Sequence, residues 1–504
     1  MKKVYFLNVD FGKKLTGIER SSLKRAYLFI NYLNSIPVFI TSKFNLDLND
    51  NINYYKEIGW FPEACKVINV YDDLCNRENY TSITSFYSKE NYEVIDVNEK
   101  HQRYIGENGN VSMYVVWRDI NKKLINYINF FSKGRKIRRE KYDINGVLYV
   151  VQFLNSNQSV DSEEYLDCSG NVVLKKIFDS ENKKMIRIEK YKNKRLEKIF
   201  FSEQELTSYW LSISGIEENS LLIIDKNKFW GKGAVSLVHK YKVISVLHSV
   251  HIREVDINNV VSGRLNSNYI DILESNDKIN SIITLTENQK KDLLERYHDK
   301  HRFEVIPHSL DQPAVIIEKS LNLESFNIVA MCRLAPEKQL EDMVYILKEI
   351  NFTHPLIKLF IYGEGAERIK IEKLVKELGL ENNVFLSGYV DNLREVYLQA
   401  DLSIMTSKCE GFSLAILESL AHSIPVISYD IKYGPSSMIR DGYNGYLFQQ
   451  KDYKNISNCI KKLFLDEELL LKLKKNAFET AQNYSEELIS EKWKILLREI
   501  YDDS

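Results

Sequence analysis

Short apolar runs alternate with helix-like stretches at both ends of this 504-residue chain, and a block of purely β patterning interrupts them. Residues 1 to about 80 pass from VYFLNV to the helix-like IERSSLKRAYLFINYLNS and back to IPVFIT. From about 81 to 200 the helical pattern is absent. Runs such as SMYVVW, VLYVVQFL, VVLKKIF and MIRIEKY are separated by NGN, DING, CSGN and SENKK, which are hairpin signals. After about 203 the βα rhythm returns with SLLIID, YKVISVLHSVH and INSIITLT, the last leading into ENQKKDLLERY. A second series starts near 324 with FNIVAMCRL, IKLFIYGEG, NVFLSGY, DLSIMTS and PVISYD. Repeated βα units close as parallel sheets covered by helices. The expectation is an α/β chain of two Rossmann-like domains, one carrying an inserted antiparallel β-meander. The first domain takes 1–80 and 203–310, the insert 81–202, and the second domain 311–484. The amphipathic tail 485–504 is expected to pack back on the first domain.

The hydrophobic share of 44% and charged share of 28% describe an ordinary globular balance. The opening MKKVYFLNVDFG is read as a first strand, since Asp10 ends its apolar run too early for a signal peptide. Six cysteines at 65, 75, 168, 332, 409 and 459 show no C-x-x-C spacing, so reduced thiols are expected and a metal site is not. The net charge of −1 hides an asymmetry: residues 101–200 carry 20 Lys+Arg against 12 Asp+Glu. KGRKIRREK, 133 to 141, is the densest basic run. Such runs are most often solvated strands or turns, and this one would also attract a polyanion. No nucleic-acid motif accompanies it.

The stretch CEGFSLAILESLAHSIPVIS, 409 to 428, sets Glu410 before a helix and Glu418 inside it. Apolar neighbours around Glu418 leave little polar face, and a buried carboxylate needs partners or a function. Ser413 is placed to cap the helix, whose first N–H groups near Leu414 then suit an anion. Anion and carboxylates together call for a ligand with phosphate and hydroxyls, which describes a nucleotide sugar.

Four further features bear on the site. Arg333 and Lys338, in CRLAPEKQLEDM, follow a parallel strand at the end where ligands bind. They could neutralise a diphosphate, although such charges are commonly a solvated loop. Gly363-Glu364-Gly365 marks a tight strand-to-helix turn, lacking the third glycine of a dinucleotide fingerprint. Gly17, in LTGIERSS, lies in the first strand-to-helix turn. His248 and His251 end an apolar strand, where histidines are usually structural, and no third metal ligand is evident.

R-x4-K (Arg333, Lys338), the G-E-G turn and E-x7-E (Glu410, Glu418) ahead of P-V-I resemble the retaining GT-B glycosyltransferases. More narrowly, DIKYGPSSMIRDGYNGYL and the basic meander resemble the bacterial wall teichoic acid α-glycosyltransferases and the related adhesin serine O-glycosyltransferases. The resemblance implies a UDP-sugar donor with no metal or other cofactor. Arg333 and Lys338 would grip the diphosphate, with backbone donors near Ser413 and Leu414. Glu410 would hold sugar hydroxyls at the reacting carbon, and Glu418 the ribose. His248 would line the sugar site, Gly17 the loop under the phosphates, and Gly388 and Tyr389 the uracil. Many members carry a glycine pair where this chain has only Gly17. The implied activity is glucose transfer from UDP-glucose to glycerol-phosphate repeats, by a homotrimer that is cytoplasmic or peripheral at the inner membrane face. The alternatives are UDP-GlcNAc transfer to poly(ribitol phosphate), serine O-glycosylation of an adhesin, and a non-catalytic partner subunit.

Overall fold

The computed structural model describes residues 3–77, 92–106, 109–310, 325–351, 353–390 and 392–502. The expected domain boundary at 80/81 lies outside the described residues, and the one after 310 borders residues outside them. The chain divides into two compact units: Met1–Ala26 with Ser35–Val243 and Glu274–Asp277, and Tyr27–Asn34 with Ile244–Leu273 and Lys278–Ser504. The insert therefore groups with the first strands of the chain, and the segment from Ile244 groups with the C-terminal sheet.

In the first unit, β1 (Val4–Asn8) leads through Gly17 into α1 (Gly17–Leu33), followed by β2 (Val38–Thr41), α2 (Leu48–Glu57), β3 (Lys66–Asn69) and α3 (Val70–Leu74). Ten antiparallel strands, β4 to β13, then run in sequence order from Glu93 to Phe200. The βα pattern resumes with α4 (Glu203–Ile213), β14 (Leu221–Ile224), α5 (Asn227–Val235) and β15 (Lys242–Val246). The parallel order here is β14-β1-β2-β3. All four residues of β14 are buried, as a strand covered on both faces requires.

The antiparallel sheet has more hairpins than the Asn-Gly-type signals announced. Lys133-Gly134 and Asn193-Lys194 each hold two consecutive residues at positive φ, the geometry of a two-residue hairpin loop. A core of Tyr149, Val150, Tyr165, Leu174, Ile188 and Phe200 packs this sheet against Tyr71 and Leu206 of α3 and α4.

In the second unit come α6 (Ile270–Leu273), β16 (Ser281–Thr284), α7 (Glu287–Tyr297) and β17 (Phe303–Val305). There β16 pairs in parallel with the last residues of β15 and with β17. The C-terminal series is β18 (Phe326–Met331), α8 (Leu340–Asn351), β19 (Ile357–Tyr362), α9 (Arg368–Glu377), β20 (Val384–Gly388) and α10 (Leu393–Gln399). It continues with β21 (Leu402–Met405), α11 (Leu414–Ala421), β22 (Val426–Tyr429), α12 (Gly434–Met438) and β23 (Gly445–Phe448). Three helices close the chain: α13 (Tyr453–Leu465), α14 (Glu467–Gln482) and α15 (Glu486–Asp502). In α15, Trp493 meets Phe29 of α1 edge-on at 5.4 Å.

The six parallel strands of the C-terminal sheet run β20-β19-β18-β21-β22-β23. The chain builds outward from β18 on one side, then returns to build outward on the other. Its strand order reverses between β18 and β21, a switch point of the kind beside which open parallel sheets bind ligands.

Candidate active site

Both loops at this switch point carry residues expected from the sequence. After β18 the chain runs Cys332–Gln339, ending in a 3-10 turn at Pro336–Lys338 with Gln339 in left-handed backbone conformation. After β21 it runs Thr406–Ser413. The Thr406 hydroxyl donates to the carbonyls of Lys338 (3.0 Å) and Gln339 (3.1 Å), and the Lys408 N–H donates to the Glu337 carbonyl at 2.9 Å. The two loops are thereby laced together at the switch point.

On that lacing the Lys338 ammonium meets the Glu410 carboxylate at 2.5 Å, with side chains 16% and 15% exposed. The Ser407 hydroxyl donates to the same Glu410 oxygen at 2.8 Å. Both bonds fall on Oε1. Burial works against the Lys338 charge, but attraction to Glu410 and the hydrogen bond to it together raise its pKa. Arg333 stands apart from this pair. Its side chain is 69% exposed and bonds Glu337 at 2.6 Å. One cation is thus held in place and the other stands in solvent.

The G-E-G turn packs onto the loop that carries Arg333. Leu334 N–H donates to the Glu364 carbonyl at 3.0 Å. A Cβ on Gly363, whose φ is +135°, would lie 1.9 Å from the Cys332 carbonyl, so only glycine fits. Gly363 N–H in turn donates to the Gly388 carbonyl at 2.7 Å, which brings the end of β20 into the same rim. Tyr389 follows, exposed.

His248 is brought to the second loop. A Cβ on Gly411 would lie 2.4 Å from the His248 carbonyl, so the backbones approach as only glycine allows. The His248 ring stacks on His308 (5.5 Å, 13°), and His308 meets Phe412 edge-on at 5.4 Å. His251, three residues on, is fully buried and stacked on Tyr433. Burial lowers its pKa to about 4.

The expectation about Ser413 is corrected. It sits at the N-cap of α11 with φ 77° and makes no side-chain cap bond; its hydroxyl is directed at the Met405 sulfur, 3.3 Å away. A cap needs extended backbone to aim its oxygen at the first turn, and this backbone is left-handed. Leu414 opens the helix as expected. Glu418 is half-buried, along the stripe of α11 it shares with Leu414, Ala415 and His422, while Ile416, Leu417 and Leu420 face the core. Helical spacing gives that carboxylate the outward face the composition had seemed to deny it. Gly17 opens α1 in the first unit.

The structure thus assembles Arg333, Lys338, Glu410, His248, Gly388 and the start of α11 within one unit. Residues 312–480 match the family model described as glycosyl transferases group 1. The chain is 27% identical over 532 residues to poly(glycerol-phosphate) alpha-glucosyltransferase of Bacillus subtilis (strain 168), covering 99% of this chain and 75% of that one. It is 25% identical over 513 residues to poly(ribitol-phosphate) alpha-N-acetylglucosaminyltransferase of Staphylococcus aureus (strain COL), covering 98% and 99%. A crystal structure of a mutant S. aureus TarM in complex with fondaparinux, alpha-GlcNAc-glycerol and UDP superposes with a TM-score of 0.84. It has 24% identity and covers 98% of this chain and 99% of that one. The fold is GT-B. The chain carries a group 1 glycosyltransferase domain.

Several residues that shape the site went unmarked in the sequence. Ser407 and Thr406 act through bonds to residues about 70 positions away or to a neighbouring carboxylate. His308 follows the parallel strand β17 just beyond its carboxyl end, as Arg333 follows β18, and that signal could have found it. Among the described residues, no group of three or more His, Cys, Asp and Glu could hold a metal ion. No described helix is long and apolar enough to cross a membrane.

Proposed function

We propose that this glycosyltransferase moves glucose from UDP-glucose to the glycerol-phosphate repeats of a wall teichoic acid, with retention at the anomeric carbon and without a metal. The observation that carries the reading is the Lys338–Glu410 pair at the switch point, with Arg333 standing in solvent beside it. Arg333 and Lys338 neutralise the diphosphate as it departs, and amides at the start of α11 add donors. Glu410 accepts from sugar hydroxyls, Glu418 from the ribose, and His248 borders the sugar. Gly388 and Tyr389 flank the uracil.

In the transfer, the bond between the sugar C1 and the diphosphate oxygen breaks. The acceptor hydroxyl oxygen bonds to C1 on the same face, and its proton passes to the departing diphosphate. No protein nucleophile is consumed. Stabilisation of charge on the leaving group by preorganised cations and dipoles supplies most of the rate.

The choice of glucose and glycerol phosphate rests on similarity to the B. subtilis enzyme over nearly the whole chain. Similarity of almost the same extent to the S. aureus enzyme favours a second reading, UDP-GlcNAc transfer to poly(ribitol phosphate). Discrimination between such donors turns on one or two pocket side chains. We place the enzyme in the cytoplasm or at the inner membrane face, as a homotrimer. The test is turnover of UDP-glucose and UDP-GlcNAc against both polymers, with the anomeric configuration of the product read by NMR. Preference for UDP-GlcNAc with poly(ribitol phosphate) replaces the first reading with the second. Inversion at C1, or no turnover with any pair, overturns both.

A further inference from the structure

Glu410 is held from behind as well as through its carboxylate. Its N–H donates to the Lys432 carbonyl at 3.0 Å, and its carbonyl accepts from the Tyr433 N–H at 2.6 Å. Consecutive residues of one segment thus clamp the backbone of the residue bearing the carboxylate. That segment is fixed in turn by Asp292, in the middle of α7. The Lys432 ammonium meets Asp292 at 2.6 Å, with the Asp292 side chain 14% exposed. The Tyr433 hydroxyl, fully buried, lies 3.5 Å from His251 Nδ1, and burial together with the nearby Asp292 charge raises its pKa. One carboxylate therefore anchors Lys432, whose carbonyl receives the Glu410 N–H.

The same helix reaches the His248 side. Gln289 is fully buried and its amide donates to the Ser249 carbonyl at 2.9 Å, one residue beyond His248. Ser249 is pinned further by its N–H and hydroxyl, which lie 2.9 and 2.8 Å from the Tyr269 hydroxyl. Gln289 and Asp292 are three apart and share one face of α7. On that face, one residue addresses the His248 turn and the other the Glu410 clamp.

We propose that α7 is the template that fixes the sugar-binding loops relative to each other, and that Asp292 is a positioning residue for glycosyl transfer, acting through Lys432 on Glu410. This rests on the reading of Glu410 as the carboxylate facing the sugar. Residues that orient a reacting group through its own supports hold it within about half an ångström of productive geometry. Misplacement by about 1 Å costs on the order of 10²-fold in rate while leaving much of the binding surface intact.

The test compares wild type with Asp292→Ala and Asp292→Asn in the full-length protein. Kinetics use UDP-glucose and poly(glycerol phosphate), UDP affinity is measured by calorimetry, and amide exchange is followed without donor. Asp292→Ala should lower kcat about tenfold or more, with UDP affinity and donor KM within about twofold. Exchange should quicken at the Glu410 and Tyr433 amides and stay unchanged elsewhere. Asp292→Asn, whose amide oxygen still accepts from the Lys432 ammonium, should recover part of the loss, and it carries the test if the alanine variant does not fold. Unchanged exchange at those two amides overturns the proposal, as does a kcat loss matched by an equal loss of UDP affinity. If wild type turns over no donor, the proposed function falls, and the exchange comparison alone decides whether Asp292 positions Glu410.

Discussion

Lys338 and Glu410, 72 residues apart in sequence, form an ion pair of 2.5 Å where the strand order of the C-terminal sheet reverses. The pairing keeps a cation charged in a half-enclosed place and fixes a carboxylate by one oxygen. Glu410→Ala should therefore cut transfer by roughly 10²–10³-fold, the size of effect seen when a preorganised polar group is removed from a reacting centre. The same change leaves Lys338 without this partner and should cost about 1–3 kcal/mol of stability. Turnover and thermal unfolding measured side by side check both. Near-normal turnover in this variant would remove the central claim about the site.

Arg333 is the complementary case. It is mostly exposed and its partner Glu337 lies in the same loop, so Arg333→Ala should barely move the melting temperature. It should raise the donor KM and weaken UDP binding about tenfold, through loss of a charge-assisted contact to phosphate. Excess chelator should leave wild-type turnover unchanged, because two cationic side chains offset the diphosphate charge. Loss of activity in chelator, restored by magnesium or manganese, would show that a metal shares that task.

Much of this was legible in the sequence because it is local. Apolar runs and turn residues marked the βα units, the antiparallel insert and the strand ends where Arg333, His248 and Glu410 sit. Gly363 and Gly411 were visible as glycines, but the carbonyls of Cys332 and His248 that demand them come from other strands. Ser413 was misjudged because residue type favours a cap, whereas tertiary packing set its backbone left-handed. Asp292 and Lys432, 140 residues apart, have no local signature at all. Pairing across such separations is decided by which strand ends the sheet order brings together.

The basic run of the insert divides into unlike residues. In β8 (Arg135–Tyr142), Arg138 pairs with Glu140, which is buried and also accepts from the Tyr142 hydroxyl at 2.7 Å. Arg139 donates to Asn129 at 2.7 Å over the Tyr127 ring. Lys133 and Arg135, at the hairpin tip, are exposed. Replacing Arg138 with alanine should cost about 1–3 kcal/mol, since Glu140 loses its counter-charge in a buried place. Replacing Lys133 and Arg135 with serine should leave stability alone. It should weaken use of a polyanionic acceptor at low salt, an effect screened over a Debye length of about 8 Å at physiological ionic strength. Polymer kinetics at two salt concentrations separate the cases, and a tip variant with wild-type salt dependence would count against electrostatic capture there.

His251 makes stability depend on pH in a defined direction. Burial against the stacked Tyr433 ring lowers its pKa from 6.5 to about 4, with Asp292 opposing that shift and Arg296 and Lys432 adding to it. Between those values the unfolded chain binds more protons than the folded one, so stability rises with pH. The contribution, about 3 kcal/mol at most, is complete above pH 6.5 and lost as pH falls to 4. His251→Phe keeps an aromatic ring against Tyr433 and removes the titration. Its melting temperature should therefore fall less than that of wild type between pH 7 and pH 4.5. Thermal unfolding of both proteins across that range measures the difference, and parallel declines would mean that the imidazole is charged in the folded protein.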